Sequence, residues 1–201
     1  MEELAGVVEG AGHETWLPFR DGIEDLYQGV LALGAAGGAA ARVRDGAAAV
    51  VAQGVFALEV FQLVERCGCL LLNMDGRVPD EGAVFRAALA FTRGRPVVLY
   101  KRDLRAELHG HDNAMITGLS PGFRAVRTRD AIPGELEAMR CGEPPFHPPA
   151  GLSPAIERAV GAGRSIWRTV SEEGPFKAGG EGWDRFVEML ARECAALGSC
   201  G

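Results

Sequence analysis

Apolar residues recur along this chain at two spacings, one helical and one extended, and the switches between them predict its elements. Glu2 to Ala11, EELAGVVEGA, has the helical spacing and stops at Gly12; His13 to Leu17, HETWL, reads as a short strand stopped by Pro18. Gly29 to Ala49 is rich in Ala and Gly, and each of its five glycines weakens a helix by about 1 kcal/mol relative to alanine. That segment reads either as a small-residue helix or as loose chain. Val55 to Arg66, VFALEVFQLVER, places Val55, Leu58, Phe61 (or Val60) and Leu63 or Val64 on one face, the clearest amphipathic helix of the first half.

Cys69 to Met74 is a continuous apolar run of the kind buried on both faces of a parallel sheet, Val84 to Thr92 has helical spacing, and Pro96 to Tyr100 is a second buried strand. Strand, loop, helix and strand within about thirty residues make a βαβ unit, whose crossover is right-handed. The fold class is therefore α/β with a parallel sheet. Phe123 to Val126 predicts a last strand. The proline-rich CGEPPFHPPAGLSP, 141 to 154, sustains neither helix nor central strand. Beyond it Pro154 to Val170 and Trp183 to Leu197 predict two helices, the second with Trp183, Phe186, Val187 and Leu190 on one side, packing back on the sheet or on a partner chain. The division read from this pattern is an α/β domain over 1–140, a linker over 141–153 and a helical segment over 154–201.

Composition narrows the partners. With 201 residues, 47% of them hydrophobic, the chain is long enough for one well-buried domain with at most a small appendage. The net charge is −6 and the 21 Lys and Arg are scattered, so the basic stripe of a nucleic-acid-binding protein is missing. The longest apolar stretches, read as ones such as CLLLNM and VVLY, fall far short of the roughly 20 residues that cross a bilayer, and the N-terminus has no basic segment followed by an apolar one. A soluble, cytoplasmic protein with no membrane partner is expected. Five cysteines, 67, 69, 141, 194 and 200, are odd in number and irregular in spacing, so they form no disulfide framework, and Cys67-x-Cys69 is too close for the usual zinc knuckle. Cys69 reads as a small buried hydrophobe, a redox or metal role being the lesser reading.

Other chemistry-bearing residues have plain readings. His109-x-His111 lacks a third and fourth ligand nearby and reads as polar loop. Ser120, Ser153, Ser165, Ser171 and Ser199 lack a nucleophile elbow. Gly34-Ala-Ala-Gly37-Gly38 follows no clear strand and has no Lys-Ser/Thr, so it reads as small-residue packing rather than a phosphate loop. Trp16, Trp167 and Tyr100 read as core aromatics. Neither a metal nor a cofactor is expected.

The acidic loop carries more. Asp75, Asp80 and Glu81 lie between the Cys69–Met74 strand and the next helix, where open α/β sheets place their ligand crevice. Asp80 suits a helix cap, worth roughly 0.5–2 kcal/mol; a carboxylate at a strand end also suits sugar hydroxyls, a reading open for Asp75. The ordered series GHETWLPFRDGIE, GVFALEVFQLVERCGC, DGRVPDEG, GRPVVLYKRDLR and GHDNAMITGL, from about Gly12 to Leu119, resembles the nucleoside 2-deoxyribosyltransferase family and its glycosidic-bond-cleaving relatives. That resemblance implies a flavodoxin-like sheet with helices on both faces, a homo-oligomer, and a deoxynucleoside or nucleotide as ligand. It also implies a glutamate nucleophile, because an oxocarbenium-like carbon needs a carboxylate on one face and an acid for the departing base.

Carried over by position, Asp80 corresponds to the residue holding the sugar, within a substrate-binding loop of Asp75, Asp80, Glu81 and Gly82. Asn113, followed by Met115, corresponds to the polar group that reaches a neighbouring subunit's sugar. Glu59 corresponds to the acid that handles the base, and Gly68 stands where an aspartate is usual. The catalytic glutamate's position is Arg86. A guanidinium cannot attack carbon as an oxygen nucleophile and brings positive charge toward a cationic centre, so transfer is expected to be impaired, with Arg86 in an ion pair to Asp80, Glu81 or Glu59, or on a substrate phosphate. Glu81, five residues earlier, is too far away to substitute. The alternative is a catalytically silent nucleoside- or nucleotide-binding protein, or an oligomeric scaffold. The chain also opens in the helix that follows the family's first, central strand. Either the gene start is mis-called, or the Ala/Gly-rich segment or Ala47 to Val51, AAAVV, fills the gap, or the sheet is rearranged; the expectation is a truncated or degenerate member.

Overall fold

The computed structural model describes residues 1–33, 39–76, 80–103, 112–142 and 150–197, without the side chains of 33 and 39–45. In chain order the elements are α1 (Glu2–Gly10), α2 (Pro18–Asp21), α3 (Glu24–Leu33), α4 (Ala39–Phe61) with a π-helical turn at Gln62–Arg66, β1 (Leu70–Asn73), α5 (Glu81–Thr92), β2 (Val97–Tyr100), α6 (Ala114–Thr117), β3 (Ala125–Val126), α7 (Ile132–Cys141), α8 (Pro154–Glu173) and α9 (Trp183–Cys194). The fold is mixed α/β. Its contacts divide it into two compact units that alternate along the sequence, Met1–Thr15 with Arg66–Ala150, and Trp16–Glu65 with Gly151–Gly201.

The first unit holds a three-stranded parallel sheet in the order β1-β2-β3. Leu70 pairs with Val97 through to Asn73 with Tyr100, and Leu99 and Tyr100 pair with Ala125 and Val126. All four residues of β2 are buried, as a central strand requires. Its alternate side chains go to opposite faces. Val98 and Tyr100 join Leu4 and Val8 of α1 and Ile132 and Leu136 of α7 in one cluster, edged by Cys69, Leu71, Val126 and Met139. Val97 and Leu99 point the other way and are also fully enclosed, on the side of the α5 crossover, which packs on β1 and β2. Each such aliphatic side chain contributes about 1.5–3 kcal/mol by leaving water.

The second unit is helical. α4 packs against α3, α8 and α9, and a glycine at each crossing lets it approach α8 and α9 closely. A Cβ on Gly163 of α8 would lie 2.1 Å from the Ala57 carbonyl oxygen and 2.6 Å from Phe61 Cβ, while one on Gly54 of α4 would lie 2.9 Å from a Leu190 methyl of α9. α8 is started by Ser153, which accepts a hydrogen bond from Ile156 N–H at 3.4 Å, with Pro154 at its first position. Phe176 stacks on Phe186 at 4.1 Å between centroids.

Several expectations change here. His13–Leu17 pairs with no strand among the described residues; Leu17 is extended but donates its N–H to Asp21 Oδ2 at 2.7 Å, capping α2 instead of joining a ladder. Ala47–Val51 is helix within α4, so it fills no place in the sheet, and β1 pairs only with β2 among the described residues. The α8–α9 pair packs on α4, and residues 154–201 share a unit with residues 16–65. The Ala/Gly-rich stretch is helical where described; Gly34 to Gly38 lies outside the described residues, as does most of the proline-rich stretch, 143–149. Finally, Gly46–Arg66, although interrupted by polar residues, has a mean hydropathy of 1.8 and the length to cross a membrane; half of it is buried inside the fold.

Candidate functional site

Because the sheet is parallel, the chain leaves all three strands at one edge, in the segments beginning at Met74, Lys101 and Arg127. Backbone pairing runs one step beyond the strands: Met74 N–H donates to the Tyr100 carbonyl at 2.8 Å and Lys101 N–H to the Val126 carbonyl at 2.9 Å. Asp75 ties two of these exits together. Its Oδ1 accepts from the backbone N–H of Arg102 at 2.7 Å and of Asp103 at 2.8 Å, and its own N–H donates to Asn73 Oδ1 at 3.0 Å. The Arg102 Nε lies 4.0 Å from the other carboxylate oxygen. Charge-assisted bonds from backbone donors are among the stronger ones, so Asp75 works as a latch between the first two loops.

α5 begins at Glu81. Asp80 is its cap, accepting from Ala83 N–H at 2.8 Å, and 3.5 Å from that same Oδ1 is a terminal nitrogen of Arg86. Helical side chains lean toward the N-terminus, and this lean carries the Arg86 guanidinium back over the first turn. Gly82 lies beneath the pair: a Cβ there would sit 3.3 Å from Asp80 Oδ1 and 3.7 Å from both terminal nitrogens of Arg86. A cation at the positive end of a helix dipole is unfavourable unless anions accompany it, and Asp80 and Glu81 supply them. At 3.5 Å with Asp80 largely in solvent, the pair is a weak one, worth at most about 1 kcal/mol. Of the partners expected for Arg86, Asp80 is therefore one the structure supplies; Glu81 is exposed on the first turn.

Asn113 caps α6 by accepting from Met115 N–H at 2.9 Å, and Met115 itself is 82% exposed. Glu59 lies in the other unit, partly buried on α4 beside Trp16, Glu24, Val55 and Leu58. The Nε1 of Trp16 is buried there without a hydrogen bond. His109 and His111, like 77–79 of the acidic loop, lie outside the described residues. Among the described residues no group of three or more His, Cys, Asp or Glu converges as a metal site would.

One group that the sequence reading passed over is central. Lys101, at the end of the central strand, is 4% exposed and its ammonium is paired with the Asp112 carboxylate, while its carbonyl accepts from Arg127 at 3.2 Å. Lysine is almost never enclosed unless paired. The signal was available: a Lys directly after four buried strand residues must be at least partly enclosed, and Asp112 follows in the next described segment. Asp112 precedes Asn113, so the pair anchors the start of α6 to the sheet.

Comparison with protein-family models, with curated proteins and with solved structures returned no match.

Proposed function

We propose that this chain is a divergent, catalytically silent relative of the nucleoside 2-deoxyribosyltransferases, with a flavodoxin-like unit that holds a deoxynucleoside or nucleotide at the carboxyl edge of its sheet. The observation that carries the reading is the state of residue 86. Arg86 occupies the position that the resemblance assigns to the nucleophile, and its guanidinium is drawn by Asp80 over the α5 N-terminus. Covalent transfer needs a carboxylate oxygen to attack the anomeric carbon as the glycosidic bond lengthens. A guanidinium has no lone pair to give and raises the energy of the oxocarbenium-like state. Binding has no such requirement: Asp80 and the exposed Glu81 and Asn113 can still accept hydrogen bonds from sugar hydroxyls. On this reading the protein works in the cytoplasm as a homo-oligomer, its exposed Asn113 and Met115 turned toward a neighbouring copy.

Two measurements test it. The protein and an Arg86→Glu variant are incubated with deoxynucleosides and a free base, and base exchange is followed by chromatography. No exchange is expected from the unsubstituted chain, and turnover by it would overturn the reading of Arg86. Thermal unfolding with and without deoxynucleosides and deoxynucleotides is the second measurement. A ligand at 100 times its Kd adds about 2.7 kcal/mol, so a shift of several degrees is expected; no shift with any of them would leave a scaffold in place of a binding protein.

A further inference from the structure

The nucleoside reading gives no role to the two cysteines in the short segment that joins the π-helical turn Gln62–Arg66 to β1. Cys67 and Cys69 are both free thiols of intermediate burial, and Gly68 between them is exposed. The chain bends at Gly68, and a Cβ built there would meet nothing within 4 Å. On a straight strand, cysteines two apart have their Cα atoms about 6.6 Å from one another, at the far limit of disulfide geometry, where the Cα separation is roughly 4.4–6.8 Å. A bend at the middle residue shortens that span, and an unobstructed glycine lets the peptide turn further without a clash. Cys141 and Cys194 offer no such pairing. Cys141 sits on α7 with its Sγ 3.4 Å from Glu137 Oε1, and Cys194 is enclosed on α9.

We propose that Cys67-Gly68-Cys69 is a dithiol modification site that a low-molecular-weight disulfide converts to an intramolecular disulfide. The thiols are not equivalent. Burial pushes both above the ordinary thiol range, and the neighbouring Cys69 adds to this at Cys67, while Arg95 and Arg66 act in the opposite direction on Cys67 alone. Two thiolates side by side repel, so one ionises while the other keeps its proton, which suits attack followed by resolution. Cys67, beside the arginines, attacks one sulfur of the small disulfide and expels the first thiolate, forming a mixed disulfide. Cys69 then loses its proton, attacks the Cys67 sulfur and expels the second thiolate. The protein dithiol is oxidised by two electrons, the small disulfide is reduced to two thiols, and the two protons end on those thiols.

The inference stands apart from the nucleoside reading, and its test does not depend on ligand or turnover. The full chain, reduced and freed of reductant, is exposed to oxidised glutathione under native conditions, blocked with N-ethylmaleimide and cleaved with trypsin. The peptide Cys67–Arg77, CGCLLLNMDGR, carries these two cysteines and no other. It is expected to be unalkylated and lighter than the dithiol form by about 2 mass units, the two hydrogens removed. A Cys69→Ser variant is expected to stop at one glutathione on Cys67. Recovery of the native peptide with two maleimides, or with an unresolved glutathione, overturns the proposal whether or not the variant folds.

Discussion

Two glycines on α8, two residues apart, should respond to the same substitution with opposite signs. Gly163 is buried at the crossing with α4, where an added Cβ would lie 2.1 Å from a backbone carbonyl oxygen, that of Ala57. The oxygen belongs to a helix and cannot turn aside, so Gly163→Ala forces α8 and α4 apart by about 1 Å, and overpacking of this kind costs about 1–3 kcal/mol. Loosened contacts around Ala159, Val160 and Ile166, all enclosed, add to the cost. Alanine's better helix propensity returns about 1 kcal/mol, leaving a net loss of up to about 2 kcal/mol. Gly161 is exposed, with nothing within 4 Å of its Cβ direction, so Gly161→Ala keeps the propensity gain alone. At about 2–4 °C per kcal/mol for a chain of this length, the Tm of Gly163→Ala should fall by up to about 8 °C and that of Gly161→Ala should rise by up to about 4 °C. Far-UV circular dichroism during heating reads both. If Gly163→Ala raised the Tm as Gly161→Ala does, the close approach of α8 to α4 at Ala57 would be refuted.

Two further outcomes concern buried groups. Lys101→Met strands the Asp112 carboxylate, so urea unfolding should show a loss of about 3–5 kcal/mol, most of it recovered when Asp112→Leu is added; a neutral single variant would contradict the enclosed pair. Burial, with a smaller contribution from Glu193, pushes the Cys194 thiol from its ordinary 9.0 up to about 11. The fold thus favours the protonated thiol, its stabilising contribution being full below pH 9 and lost as pH rises toward 11. Tm measured against pH should fall more steeply in that window for the unsubstituted chain than for Cys194→Ala, and parallel curves would argue against it.

The parts of this fold that sequence reading captures are those decided by neighbours in the chain. Leu70–Asn73 and Val97–Tyr100 are strands because apolar residues run between loops, and Asp80 caps α5 because a short oxygen-bearing side chain precedes a helical run. Local sequence alone misleads at His13–Leu17, since an extended connector and a strand share the same backbone conformation and only the partner strand distinguishes them. The grouping of Trp16–Glu65 with Gly151–Gly201 was illegible for a related reason: it rests on Gly163 meeting Ala57 across the length of the intervening sheet unit, and nothing local in either helix names its partner. At the candidate site the carboxylates of the acidic loop could be found by type and Asp80 recognised as a cap, but not the occupation of Asp75. That Asp75 serves two backbone N–H groups of another loop, and that Lys101 is enclosed beside Asp112, depends on which loops the sheet register brings together.

The alternation of the two units along the chain also dictates an order of events on the ribosome. α3 and α4 are made first, yet α8 and α9, which cover α4, are made only after the whole of Arg66–Ala150. Through that interval the faces of the apolar stretch Gly46–Arg66 that α8 and α9 will cover stay open, and an exposed segment of that kind is where nascent proteins aggregate or recruit chaperones. The sheet unit, lying wholly within residues already translated, has no such wait.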